Sequence, residues 1–189
     1  MTGTKAIGGI PSLVERFHER WLEAAGEYIP VAPGVDVGEE VLRFLKDNGI
    51  AAVVLAGPPL TSSIGEALAG KVEILADFGR ETYDREAAVQ RCSNAGAGIT
   101  GVDTLIAATG TLVLTSRGQG DRLVSSLPPV HLVVATGAPV FNDMETFMQA
   151  APAELSFCFV TGPSRTADIE KQLILGAHGP KRVVVWGPG

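Results

Sequence analysis

Cysteine is scarce in this chain of 189 residues: there are two, Cys92 and Cys158, with no CxxC spacing. A ferredoxin-type cluster takes four thiolates, so no such cluster is expected on this chain. Sparse thiols, and an N-terminus (MTGTKAIGGIPSLVERF) without the apolar core of a signal peptide, point to a cytoplasmic protein. Long apolar runs are missing too, and none approaches the ~20 residues of a membrane span. The three histidines, His18, His131 and His178, lie far apart with no HExxH pairing, so no metal site is expected. Basic residues number 15 against 21 acidic ones, a net charge of −6, which argues against a broad nucleic-acid surface. GPPLTSSIG lacks the GK[ST] ending of a P-loop. No GxSxG elbow occurs, and Gly118-Gln119-Gly120 does not follow a strand as a dinucleotide fingerprint does.

What the chain does have is aliphatic mass: 46% of it is hydrophobic and only 6% aromatic. One domain of this length can bury a sizeable core without disulfides. The pattern divides it into an N-terminal arm and helix, 1–35, and a globular unit, 36–189. Leu13, Val14, Phe17, Trp21 and Leu22 share one helical face, with Gly26 where a C-cap is expected. Two prolines make YIPVAPGVD extended. Helices over 38–48, from 57 to 68 and over 84–94 alternate with apolar strands over 50–56 and 72–77. DTLIAATGTLVLTS predicts two strands around a turn at 108–110. Strands follow over 130–136, 155–162 and 181–187, with helices through 150 and over 166–175. The alternation predicts an α/β three-layer sandwich with a mixed sheet.

Chemistry is expected in two segments. In FVTGPSRTADIE a strand runs into a tight turn and a predicted helix. Gly162 allows close backbone approach, Ser164 and Thr166 offer hydroxyls, and Arg165 can grip a carboxylate or phosphate bidentately. The structural reading is plainer: Thr166 an N-cap, Asp168 and Glu170 first-turn acids, Arg165 their partner. Similarly, His178 can cap the helix end. In the second segment, Thr109, Gly110 and Thr111 bring hydroxyls and amides to a strand end, with Asp103 the nearest acid upstream. Asp103 and Asp168 are the possible acid–base groups. Arg117, Gly118, Gly120, Asp121 and Arg122 form either a loop closing over an anion or a solvated surface hairpin. His131, in an apolar strand, reads as a core histidine with one backbone partner, and Cys158 as a buried, inert thiol.

Taken together, GITGVDTLIAATGTLVL, LPPVHLVV and TGPSRTADIEKQLILGAHGPKRVVV resemble the LUD-domain family, in its lactate-utilisation protein C branch. The resemblance covers about residues 40–187, and its most specific part is the GPSRTADIE…GxHGP run. It implies a NagB/RpiA/CoA-transferase-like fold and a part in oxidising L-lactate to pyruvate. Its partners would be an iron–sulfur subunit and a second LUD-domain subunit that carries clusters, with no cofactor bound by this chain itself. Gly162, Ser164, Arg165 and Thr166, facing Thr109, Gly110 and Thr111, would hold a small anionic ligand. Many relatives have an acid just before the TGT turn where this chain has Ala108, and hydroxyls cannot replace a carboxylate general base. The alternative is a free-standing isomerase, CoA transferase or cyclo-ligase acting on a phosphorylated or carboxylated small molecule.

Overall fold

The computed structural model describes residues 12–57, 60–78, 84–115, 121–152, 155–167, 173–175 and 179–189. In chain order its elements are α1 (Leu13–Glu23), β1 (Glu27–Val31), α2 (Val37–Asp47), β2 (Ala52–Ala56), α3 (Leu60–Leu68), β3 (Glu73–Asp77), α4 (Arg85–Asn94), β4 (Ala97–Gly101), β5 (Thr104–Ile106), β6 (Thr111–Thr115), α5 (Asp121–Ser126), β7 (Val130–Val134), β8 (Val140–Phe141), α6 (Met144–Ala150), β9 (Phe157–Val160), β10 (Arg165–Ala167), β11 (Leu173–Leu175) and β12 (Arg182–Pro188). The apolar runs form a wholly parallel sheet in the order β1-β12-β7-β4-β2-β3. Strands buried on both faces read as continuous apolar runs rather than alternating ones.

Alternate side chains of these strands turn to opposite faces. Leu55, Ile99, Leu132, Val134, Val184 and Trp186 pack against Val41 and Leu45 of α2 and Ile64 and Leu68 of α3. On the other face, Val133, Val183 and Val185 meet Phe17 and Trp21 of α1 and Leu105 and Leu112 of a second sheet. Val54 and Ala56 meet Cys92 of α4 and Val124 of α5. The second sheet, ordered β8-β5-β6-β9, is mixed: β5 runs parallel to β8 and antiparallel to β6. The three-layer α/β sandwich is therefore observed, with antiparallel pairing kept out of the main sheet.

Helix α1 is part of this core. It opens with a capping box: the Glu15 amide donates to Ser12 Oγ (3.1 Å) and the Ser12 amide to Glu15 Oε2 (2.6 Å). That amide holds the Glu15 carboxyl below its ordinary range. Phe17 and Trp21 are fully buried, and each contributes on the order of 2 kcal/mol by leaving water. The cap expected at Gly26 falls elsewhere. Ala25 takes the left-handed conformation, with φ 60°. Gly26 is needed for a different reason, because a Cβ there would lie 2.1 Å from the Trp21 ring.

The two described ends of the helix expected over 166–175 are strands instead. Arg165–Ala167 and Leu173–Leu175 pair as antiparallel strands, with Thr166 opposite Ile174. The reason lies at the base of the segment, where the Ser164 amide donates to the Pro180 carbonyl (2.9 Å). A chain that must return to its starting point can do so as a hairpin. A ten-residue helix would end about 15 Å away. The short helix α5 was also absent from the sequence reading, which treated 117–122 as loop.

Candidate functional site

The threonine turn is built by the β5–β6 hairpin. The Ala107 and Ala108 amides donate to the carbonyls of Phe141 and Asn142 (both 2.9 Å), tying the turn to β8. Asn142 Oδ1 in turn accepts from the Arg16 guanidinium of α1 (2.9 Å). At the far side of β6, antiparallel β9 places Val160 opposite Leu112, so the next residue, Thr161, arrives beside Thr111. The hydroxyls of Thr109 and Thr111 are 2.7 Å apart, and those of Thr111 and Thr161 2.8 Å. Thr111 is buried, 2% exposed, while Thr109 and Thr161 are exposed. Three hydroxyls carry three protons, and the two bonds between them use two. Among the described residues, one O–H is left to donate outward.

The two segments read as chemical therefore meet. Their glycines have another task. Gly110 (φ 62°) backs onto α1, where a Cβ would lie 2.6 Å from the Arg20 carbonyl carbon and the Trp21 amide nitrogen. Gly162 (φ 84°) backs onto the end of the same helix, 2.3 Å from the Ala24 carbonyl oxygen. The close approach these glycines permit is that of a packed helix. Ala24 lies three residues before β1 and Pro180 two before β12, so the turn of Gly162 and Ser164 sits at the amino edge of the parallel sheet.

The remaining candidates are dispersed. Asp103 stands at the open end of the β5–β6 hairpin, away from the threonine turn. Its amide donates to the Val113 carbonyl (3.0 Å) and its Oδ2 accepts from the Thr115 amide (2.7 Å). It also lines a pocket of about 150 Å³ walled by Phe141, Phe147 and Phe157. Arg165 and Thr166 lie in β10, so no helix begins at Thr166 as expected. Asp168, Glu170, His178, Arg117, Gly118 and Gly120 lie outside the described residues. The Arg122 guanidinium donates to Ser156 Oγ, and Asp121 opens α5.

His131 is fully buried, and its partner is a side chain rather than the backbone: Nε2 lies 2.8 Å from Thr100 Oγ1. Burial pushes its pKa down to about 3. Cys92 is buried and its thiol is pushed up to about 11 by desolvation, whereas Cys158 is only half-buried on β9. Among the described residues, no three His, Cys, Asp or Glu side chains gather as metal ligands. No described helix is long and apolar enough to cross a membrane. Sequence reasoning missed Thr161, because Thr-Gly pairs stand at five places in the chain and nothing local singles out the one at 161–162.

The LUD domain model matches residues 14–186, a span from α1 to β12 that includes both threonine–glycine turns. The chain belongs to the LUD domain family. Lactate utilization protein C of Halalkalibacterium halodurans is 38% identical over 105 residues, covering 51% of this chain and 46% of that protein. Lactate utilization protein C of Macrococcus caseolyticus is 33% identical over 135 residues, covering 61% and 58%. An uncharacterized protein of Neisseria meningitidis is 34% identical over 98 residues, covering 49% and 42%. The chain thus matches about half the length of these curated relatives. A solved DUF162 family protein from Deinococcus radiodurans shares the fold, with a TM-score of 0.62 over 94% of this chain and 96% of that one at 21% identity. The matched span thus takes in α1 together with both sheets.

Proposed function

We propose that this LUD domain is a cytoplasmic component of a lactate-utilisation system, working with iron–sulfur and LUD-domain partner subunits, and that it holds a small anionic ligand at the threonine turn. The names of the relatives support the lactate-utilisation role, while the location and the partner subunits follow from the family resemblance alone. The second is carried by one observation, the chain of hydroxyls Thr109–Thr111–Thr161 that joins the two family segments. The outward O–H donates to a carboxylate or phosphate oxygen, and Ser164 stands three residues beyond Thr161. Arg165 and Thr166 follow in β10, and in this reading Arg165 is assigned the countercharge. This site holds a ligand rather than transforming it. Ala108 supplies no acid–base group, and Asp103 stands at the other end of the hairpin with one oxygen engaged by the Thr115 amide.

Thermal unfolding against lactate, pyruvate, phosphate, sugar phosphates and coenzyme A tests the reading. A ligand of the folded state at about 100 times its Kd stabilises by roughly 2.7 kcal/mol. The shift is expected with one anion class, and is lost in Arg165→Ala and reduced in Thr161→Val. No shift with any anion, or a shift that both variants retain, overturns the assignment.

A further inference from the structure

The carboxyl ends of β1, β12 and β7 form an open crevice at the edge opposite the threonine turn. Two adjoining cavities lie there, of about 270 and 200 Å³, and Val35, Val37 and Thr136 line both. Together they fall within the ~300–1,000 Å³ usual for small-molecule pockets, and ligands of open α/β sheets gather at this end of the strands. The walls are aliphatic, with Val31 and Val134 from the strands themselves. Thr136 is half-buried, and its hydroxyl has no hydrogen-bond partner among the described residues.

The charge at the crevice comes from Asp36, which lines the smaller cavity and caps α2. Its Oδ1 accepts from the Gly38 and Glu39 amides (2.8 and 3.4 Å), while Oδ2 accepts no bond from any described residue. A helix start normally attracts anions through its free amides. Here those amides face a carboxylate of the chain, and Glu39 and Glu40 follow in the same turn. Lys71 reaches Glu39 at 3.0 Å and Arg43 pairs with Glu40, so both of these cations are already engaged, and no Lys or Arg lines either cavity. An anion is repelled from this crevice, and a donor that can reach Asp36 Oδ2 is favoured.

We propose that this crevice is a second binding site, for a compact, largely apolar molecule bearing an amine. The amine donates to Asp36 Oδ2 and to the Thr136 hydroxyl oxygen, and the body lies against Val35, Val37 and Val134. The inference does not rest on the anion reading, because the two sites stand at opposite edges of the sheet.

Phenethylamine and 3-phenylpropionate have similar apolar bodies and opposite charges. Each is titrated into the full chain while backbone amides are followed by NMR. The amine is expected to give saturable shifts at Val35, Thr136 and Gly137 and to leave Thr109 and Thr161 unmoved. Asp36→Asn should weaken it about tenfold or more, since a charge-assisted hydrogen bond is lost. Asn caps a helix as well as Asp, so that variant keeps α2. Thr136→Val, nearly the same shape, provides a second reading and should weaken the amine several-fold. Equal or tighter binding of the propionate, no saturable shift with the amine, or indifference to both variants overturns the proposal.

Discussion

The two edges of the parallel sheet use left-handed glycines in opposite ways. At the amino edge, Gly110 and Gly162 are pressed against the backbone of α1, and a Cβ on either would collide with main-chain atoms. At the carboxyl edge, Gly137 has φ 80°, yet a Cβ there would meet nothing within 4 Å. The first edge is closed by the N-terminal helix beside the chain of threonine hydroxyls; the second is open and lined by aliphatic side chains. A glycine in a family signature thus marks a close approach without saying what approaches, which here is a helix of the same chain.

The largest test of this contrast is substitution by alanine. Gly162→Ala and Gly110→Ala combine a left-handed alanine with a main-chain collision and should each cost about 3 kcal/mol or more. Gly137→Ala carries the backbone strain alone, about 1–2 kcal/mol. Urea midpoints of the three variants compare them directly. Equal losses would mean that α1 yields easily and the closed edge is not rigid.

A second test asks whether the space between the layers is dry. His131 lies on the sheet face that meets the α1–second-sheet layer and takes a proton near pH 3 when folded, against 6.5 when unfolded. As pH falls, the unfolded chain binds the proton first. The stability this neutral histidine leaves intact above pH 6.5 should therefore decline toward pH 3, by up to about 1.4 kcal/mol per unit. His131→Gln should flatten the urea midpoint against pH between 6 and 4 by that slope. Matching slopes in the two proteins would show that the imidazole reaches water.

The smallest effect sharpens the packing at the end of α1. Ala25 holds φ 60° at an exposed position, where glycine relieves the strain at some cost in chain entropy. Ala25→Gly should gain up to about 1 kcal/mol in thermal or urea unfolding, while Gly26→Ala should lose several through its collision with Trp21. A loss in Ala25→Gly would mean that entropy outweighs the strain.

Much of the fold was legible in local patterns. IAAVVLA and VHLVVAT became β2 and β7 because a continuous apolar run of that length has few other ways to be buried. Asp84 opens the helix expected over 84–94, and the structure uses it as the cap. The site was legible only as a pair of segments. Gly162 and Thr111 were readable as turn residues, but Thr161 gains its meaning from lying beside Thr111, 50 positions away. The segment from Arg165 to Leu175 misled because its composition suits a helix, while the tie between Ser164 and Pro180 requires a return.

By itself, the sequence determined most strands of the parallel sheet, though not β4 within it, and also which faces are apolar, where most helices begin and which family the chain resembles. Each of those follows from periodicity, capping chemistry or motif spacing within a few residues. The tertiary structure alone decided that Gly110 and Gly162 hold a helix, that the threonine hydroxyls join, and that Asp103 stands apart from them. It also placed the open cavities at the other edge, beside Asp36 and Thr136. These are distances between residues far apart in the chain, and they are set only when the layers pack.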